Sequence, residues 1–259
     1  MTAELKLTQQ GPTLVLTLSN PEYRNALGPE IYAAGMTALA QASQSTAIRS
    51  VVIAGEGANF CAGGNLNRLK ANRQLPRSVQ EQSIETFHAW IEAICTCPKP
   101  VIAAVEGAAA GAGFSLALAC DLVVAARDAL FVMAYSNIAL SPDGGGSWLL
   151  ARALPRQLAS ELMLMGERIK APRLQELGVV NRLAEPGQAL SDALALAGKL
   201  NERAPNSLAS IKSLAHAAAS QGLSAQMAQE RDAFVNNLHH VNGGEGVAAF
   251  LEKRSPRYE

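Results

Sequence analysis

The sequence has no surplus of charge. Its 22 lysines and arginines are matched by 22 aspartates and glutamates, and no basic block occurs anywhere. That balance argues against nucleic acid as the main partner. Cysteine is scarce, and Cys61, Cys95, Cys97 and Cys120 show neither CxxC nor metal-ligand spacing. Reduced thiols in a cytoplasmic protein are therefore expected, with no metal centre. The opening MTAELKLTQQ lacks the apolar core of a secretory signal, and none is expected there. Val101 to Ala126 comes nearest to a membrane span. Glu106 and Asp121 interrupt it, and its glycines and alanines suit lipid poorly, so it reads as protein interior. No tandem repeat or low-complexity segment is visible.

Apolar bulk is what the chain does have. Hydrophobic residues make up 49% of 259 positions, enough for a substantial core in one large domain or a core with a small appendage. The most informative stretch is Pro100 to Asp121, PVIAAVEGAAAGAGFSLALACD. Val101 to Val105 reads as a buried strand and Phe114 to Cys120 as a buried helix. Between them lie Gly107, three alanines, Gly111 and Gly113. A strand entering a glycine-rich turn and then a helix N-terminus aims bare N–H groups at one point. Such a point suits an anion, or an oxygen that becomes one during a reaction. Tight helix–strand packing explains the same glycines, and both readings stay open.

Elsewhere, Thr13 to Leu18 alternates as a strand does, and Asn20-Pro21 ends it. Pro29 fits the first turn of a helix running to about Ser43. Ser50 to Ala54 reads as a second strand. After the Gly55 to Asn59 loop, Phe60-Cys61-Ala62-Gly63-Gly64-Asn65-Leu66 is a second glycine-lined turn with exposed backbone donors. Asn67 to Ser78 reads as polar, basic and mobile. Ile84, Phe87, Ile91 and Ile94 repeat at helical spacing until Cys97-Pro98 closes the helix. Leu122 to Ala126 and Phe131 to Met133 read as strands, and Val179 to Leu183 as a short one. Helices are expected over about Ser147–Ala153, Gln157–Met165, Ala171–Leu177, Gln188–Arg203, Asn206–Ala219, Ser224–Leu238 and Glu245–Leu251. A composition shift at Ala204-Pro205 divides the expected core, 1–204, from a helical appendage, 205–259.

Taken together, Arg24-Asn25-Ala26-Leu27, Phe60 to Leu66, Pro98 to Gly113, Cys120-Asp121, Ser141 to Gly146 and the tail from Glu245 to Pro256 resemble the crotonase (enoyl-CoA hydratase/isomerase) superfamily. The tail and the Pro142-Asp143 step look most like its phenylacetate-pathway isomerase branch, of the ring-1,2-epoxyphenylacetyl-CoA isomerase type. The resemblance implies an α/β fold: a spiral of ββα units with a C-terminal helical trimerisation region, assembled as a trimer or dimer of trimers. It implies an acyl-CoA thioester substrate, with coenzyme A as part of that substrate and no separate cofactor.

By the same resemblance, the N–H groups of Gly64 and Ala112 hold the thioester carbonyl oxygen, where enolate charge builds up. Arg24, Ala26, Ala62, Leu66 and Gly111 fall in the region that binds the CoA moiety, and Phe250 and Lys253 match tail residues that reach its phosphates. Hydratases of the family use two glutamates. Ser115 and Tyr135 stand at those positions here, and Asn65 replaces the usual aspartate after the first oxyanion residue. Asp143 is the acid/base candidate that remains, although Pro-Asp-Gly is also an ordinary turn. One carboxylate can carry one proton between two carbons, which is all an enoyl isomerisation requires. Tyr135 is a candidate pocket donor or a core residue. His88 packs or caps, at an offset where aryl-CoA dehalogenases have a functional histidine. The expected function is isomerisation or ring opening of an unsaturated or aromatic-derived acyl-CoA. The alternatives are a plain enoyl-CoA hydratase of fatty-acid breakdown and a non-catalytic CoA-ester-binding subunit.

Overall fold

The computed structural model describes residues 3–259. Glu4–Gln10 (β1) and Thr13–Ser19 (β2) form an antiparallel hairpin. Pro29–Gln44 (α1) follows, with proline in its first turn and Ile31, Tyr32, Gly35, Ala38, Leu39 and Ala42 buried at helical spacing. Next come Ser50–Gly55 (β3), Leu66–Asn72 (α2), Arg77–Thr96 (α3) and Val101–Val105 (β4). Gly35 of α1 lies against the Trp90 indole of α3, leaving no room for a Cβ. Ala108–Ala110 (β5) leads directly into Ala112–Ala119 (α4), then Leu122–Ala126 (β6) and Leu130–Val132 (β7). Gly146–Ala153 (α5), Arg156–Met165 (α6), Arg168–Lys170 (β8), Ala171–Glu176 (α7), Arg182–Ala184 (β9) and Ala189–Asn201 (α8) complete the core.

The main sheet has six strands in the order β1-β2-β3-β4-β6-β9, parallel except for the β1–β2 pair. A smaller sheet, β5-β7-β8, stands beside it. Period-2 alternation divides the main sheet's side chains between two interiors. Val15, Val52, Ile102 and Val124 pack on Ala189, Ala193, Leu196 and Ala197 of α8. Leu16, Val51, Ile53, Val101, Ala103, Val105 and Val123 face the larger core with α1, α3 and α4. Burial on both faces is why these strands read as continuous apolar runs. The membrane-like stretch is thus β4, β5, α4 and β6 in the interior. Among the described residues, no helix is long and apolar enough to cross a membrane.

Pro205–Ala218 (α9), Leu223–His239 (α10) and Val241–Leu251 (α11) end the chain. No residue of α9 or α10 is fully buried. One side chain nails α9 to the core: Lys212 Nζ lies 2.7 Å from Asp121 Oδ2 and donates to the Ile94 carbonyl at 2.9 Å.

Three features go beyond the sequence reading. Asn67–Ser78, for which no element was expected, is largely helical. Asn65 caps α2 by accepting from the N–H groups of Asn67 (3.0 Å) and Arg68 (3.2 Å), and α3 begins at Arg77. The glycine-rich turn after β4 is shorter than it reads, because its three alanines form β5 in parallel with β7. The hairpin strand β1 and the three-residue β8 carry no apolar alternation strong enough to announce them; β1 is an edge strand with mostly exposed side chains.

Candidate active site

Three loops converge through backbone hydrogen bonds. Ala62 N–H donates to the Arg24 carbonyl (2.9 Å), and Leu27 N–H to the Gly63 carbonyl (2.8 Å). Phe60 N–H donates to Glu106 (2.7 Å), Cys61 N–H to Ala108 (2.9 Å), and Ala110 N–H back to Cys61 (2.9 Å). The fully buried Asn25 pins the first loop. Its Nδ2 donates to the Glu56 (2.9 Å) and Asn59 (2.7 Å) carbonyls, and its Oδ1 accepts from Asn20 N–H at 3.0 Å. Asn25 has φ 58, a left-handed conformation that asparagine tolerates better than most side chains.

This lacing brings the two glycine turns face to face. Gly63 has φ 93, and a Cβ there would stand 2.7 Å from the Ala110 oxygen and 3.3 Å from the Ala112 nitrogen. Ala112 is the first residue of α4, so its N–H has no carbonyl within its own helix. Among the described residues, neither the Gly64 nor the Ala112 N–H has an acceptor. Cys61 sits beneath both turns, its Sγ accepting the Gly63 N–H at 3.3 Å. Burial pushes its thiol up to about 12, so it is neutral and no nucleophile.

A carboxyl group is held by the same helix. Ser115, fully buried on the first turn of α4, donates from Oγ to the Asp143 main-chain carbonyl at 3.0 Å. Tyr135, 8% exposed, donates its phenol O–H to Asp143 Oδ1 at 2.6 Å. Glycine is required around the acid: Gly144 (φ 57) abuts the Phe87 ring, and Gly146 abuts Ser115 Oγ. Burial raises the Asp143 carboxyl above its ordinary range, while the Tyr135 hydrogen bond, the nearby His88 and its own N–H pull it down. Burial and the Asp143 charge both raise the Tyr135 phenol, which stays protonated.

Residues 8–259 match the family model described as enoyl-CoA hydratase/isomerase. The chain belongs to the enoyl-CoA hydratase/isomerase family. Its enzymes are hydratases and isomerases, and this chain is one of them. It is 37% identical to 1,2-epoxyphenylacetyl-CoA isomerase of Escherichia coli over 246 residues, 95% of this chain and 94% of that protein. It is 35% identical to 2,3-dehydroadipyl-CoA hydratase of the same organism, over 99% of both. Among solved structures, an enoyl-CoA hydratase from Polaromonas sp. JS666 superposes with TM-score 0.98 at 68% identity, covering 99% of this chain and 100% of that one. The expected fold and the resemblance to the phenylacetate isomerase branch agree with these similarities.

Within this family frame, the structure brings Gly64, Ala62, Gly111, Ala112, Ser115, Tyr135 and Asp143 together along β5 and α4. A cleft of about 220 Å³ opens beside them, lined by Tyr23, Ala26, Leu27, Gly28, Asn65 and Arg68 among others. Ala26 thus lies on it, and Leu66 is exposed next to its Asn65 wall. Neither Asp143 nor Ala112 lines this cleft. Phe250, 84% exposed near the end of α11, and Lys253, with φ 56 just beyond it, do not line it. Sequence reasoning passed over Arg68, because α2 itself was missed. It also passed over Tyr32, whose phenol is raised by burial and by the Asp143 charge. Only α1's inward face gives Tyr32 away in the sequence. Among the described residues, no group of three or more His, Cys, Asp or Glu could hold a metal ion.

Proposed function

We propose that the enzyme binds an acyl-CoA thioester, holds its carbonyl oxygen between the Gly64 and Ala112 amides, and moves one proton with Asp143. The reaction favoured is isomerisation or ring opening of an unsaturated or aromatic-derived acyl-CoA. In an isomerisation, the Asp143 carboxylate takes a proton from the carbon next to the thioester of a 3-enoyl-CoA. The electron pair spreads onto the carbonyl oxygen as a dienolate, where the two amides stabilise it without reorganising. Asp143 then returns the proton to the far end of the dienolate, leaving the conjugated 2-enoyl-CoA.

One observation carries this reading: a single half-buried carboxyl is held by α4, the helix whose N-terminal amide is unpaired. Ser115 and Tyr135, where hydratases of this family have glutamates, are hydrogen-bonded to Asp143. Arg24, Ala26, Ala62, Leu66 and Gly111 would hold the CoA moiety by main-chain contacts, and Phe250 and Lys253 would reach its phosphates.

A hydratase acting through Asp143 and a water is the second reading, favoured by the similarity to an enoyl-CoA hydratase of Polaromonas and to 2,3-dehydroadipyl-CoA hydratase. Incubating a 3-enoyl-CoA and crotonyl-CoA separately distinguishes them. A gain of conjugated-thioester absorbance with the first supports the isomerase. Loss of absorbance with crotonyl-CoA alone supports the hydratase. We also propose that residues 205–259 form the oligomerisation region of a trimer or dimer of trimers. Exposed Leu223, Met227, Phe234, Val247, Phe250 and Leu251 on its helices support this.

A further inference from the structure

We propose that Tyr135 is the positioning residue of the Asp143 carboxylate, its phenol O–H committing Oδ1 to the protein so that the other oxygen handles the substrate proton. This rests on the acid/base role of Asp143 argued above. The geometry is specific. Among the described residues, Tyr135 is the one side chain that donates to this carboxylate, at 2.6 Å. The Tyr135 side chain is buried, 8% exposed, and Gly111 faces its ring: a Cβ there would lie 3.7 Å from Tyr135 Cζ. Ser115 Oγ lies 3.4 Å from the phenol oxygen while donating to the Asp143 carbonyl. The phenol, the carboxyl and the Ala112 amide are therefore all referenced to the first turn of α4.

A carboxylate with one oxygen tied to a buried donor loses rotational freedom about its terminal bond. That favours a shuttle in which the same oxygen must collect and deliver the proton. The hydrogen bond also stabilises the ionised form against burial. Three titratable groups act on Asp143 from the elements around it: Tyr135 after β7, His88 on α3 and Tyr32 on α1. Both tyrosines are raised by burial and stay neutral, so neither supplies a counter-charge. Tyr135 thus acts as a fixed dipole beside the acid.

Tyr135→Phe removes the hydroxyl and keeps the ring. The base must be ionised, so activity falls as pH drops through the Asp143 pKa. Loss of the hydrogen bond raises that pKa, and the acid limb of kcat/KM should move up by about one pH unit. The same variant should lower kcat with little change in KM. Replacing Tyr135 by 3-fluorotyrosine, a stronger donor of nearly the same shape, should move the limb down. The carboxyl is followed directly by carbon-13 labelling of the five aspartates, with Asp143→Asn assigning the signal. A wild-type Asp143 titration and acid limb in Tyr135→Phe would overturn the proposal. Wild-type turnover in Asp143→Asn would instead remove the acid/base reading beneath it, so the two failures are separable.

Discussion

Asp143 is an acid that the fold pays to keep, and this makes its removal informative twice over. Asp143→Asn should abolish turnover in either assay, because the amide cannot take up the proton. The same change should stabilise the protein at neutral pH. The native carboxyl titrates above its unfolded value, so its favourable contribution is complete below about pH 4 and is lost as pH rises through the native pKa. Asparagine escapes that loss and still accepts from Tyr135. Melting temperatures of the two proteins should converge in acid and separate at pH 7, the variant being higher. Testing the proposed oxyanion amides needs a backbone change instead. Gly64→Pro deletes one donor, worth roughly 2.7–4 kcal/mol, and should lower kcat by about 10²–10³. An unchanged kcat in folded Gly64→Pro protein would exclude that N–H from the reaction.

At the scale of elements, α4 and the Asp121–Lys212 pair matter most. The eight residues of α4 set the proposed oxyanion amide through Ala112 and hold the proposed acid through Ser115. Lys212 works at a distance, tying α9 to the end of α3 and to the start of β6. Burial lifts the Asp121 carboxyl, with Lys212 and the Val101 N–H opposing. Removing one partner of a buried pair costs about 3–5 kcal/mol. The Asp121 side chain is 26% exposed, so water offsets part of that cost and the low end applies. Lys212→Met should therefore lower the urea midpoint by an amount equivalent to about 3 kcal/mol at most. A midpoint within error of wild type would mean that the helices hold without this bridge.

For the whole molecule, the C-terminal helices pose the open energetic problem. Phe234 is 69% exposed on α10 and Phe250 more so on α11, each forfeiting about 1.5–3 kcal/mol that burial would return. A second copy covering them is the proposed remedy. Phe234→Asp should shift sedimentation from trimer or larger to monomer while leaving the core's circular dichroism intact. Sedimentation of the wild type as a monomer would exclude the assembly.

Much of this was legible in one dimension. Val101–Val105, the α4 run and the Ile84-Phe87-Ile91-Ile94 stripe announced themselves by period, because a strand or helix buried on known faces must repeat its apolar residues. Gly63 and Gly113 lie in the two glycine turns read as bare backbone, and a Cβ at either would clash, at Gly63 2.7 Å from the Ala110 oxygen and at Gly113 against the Cys61 oxygen. What no local pattern could carry was which groups meet. Asn67–Ser78 shows no element in the sequence because a surface helix capped by Asn65 buries no stripe. Tyr135 and Asp143 lie eight residues apart with a turn between them, and only the register of β5 on β7 and the seating of α4 bring phenol to carboxylate. Composition and period are properties of neighbours along the chain. The hydrogen bond that orients the acid depends on three segments arriving together, and only folding decides that.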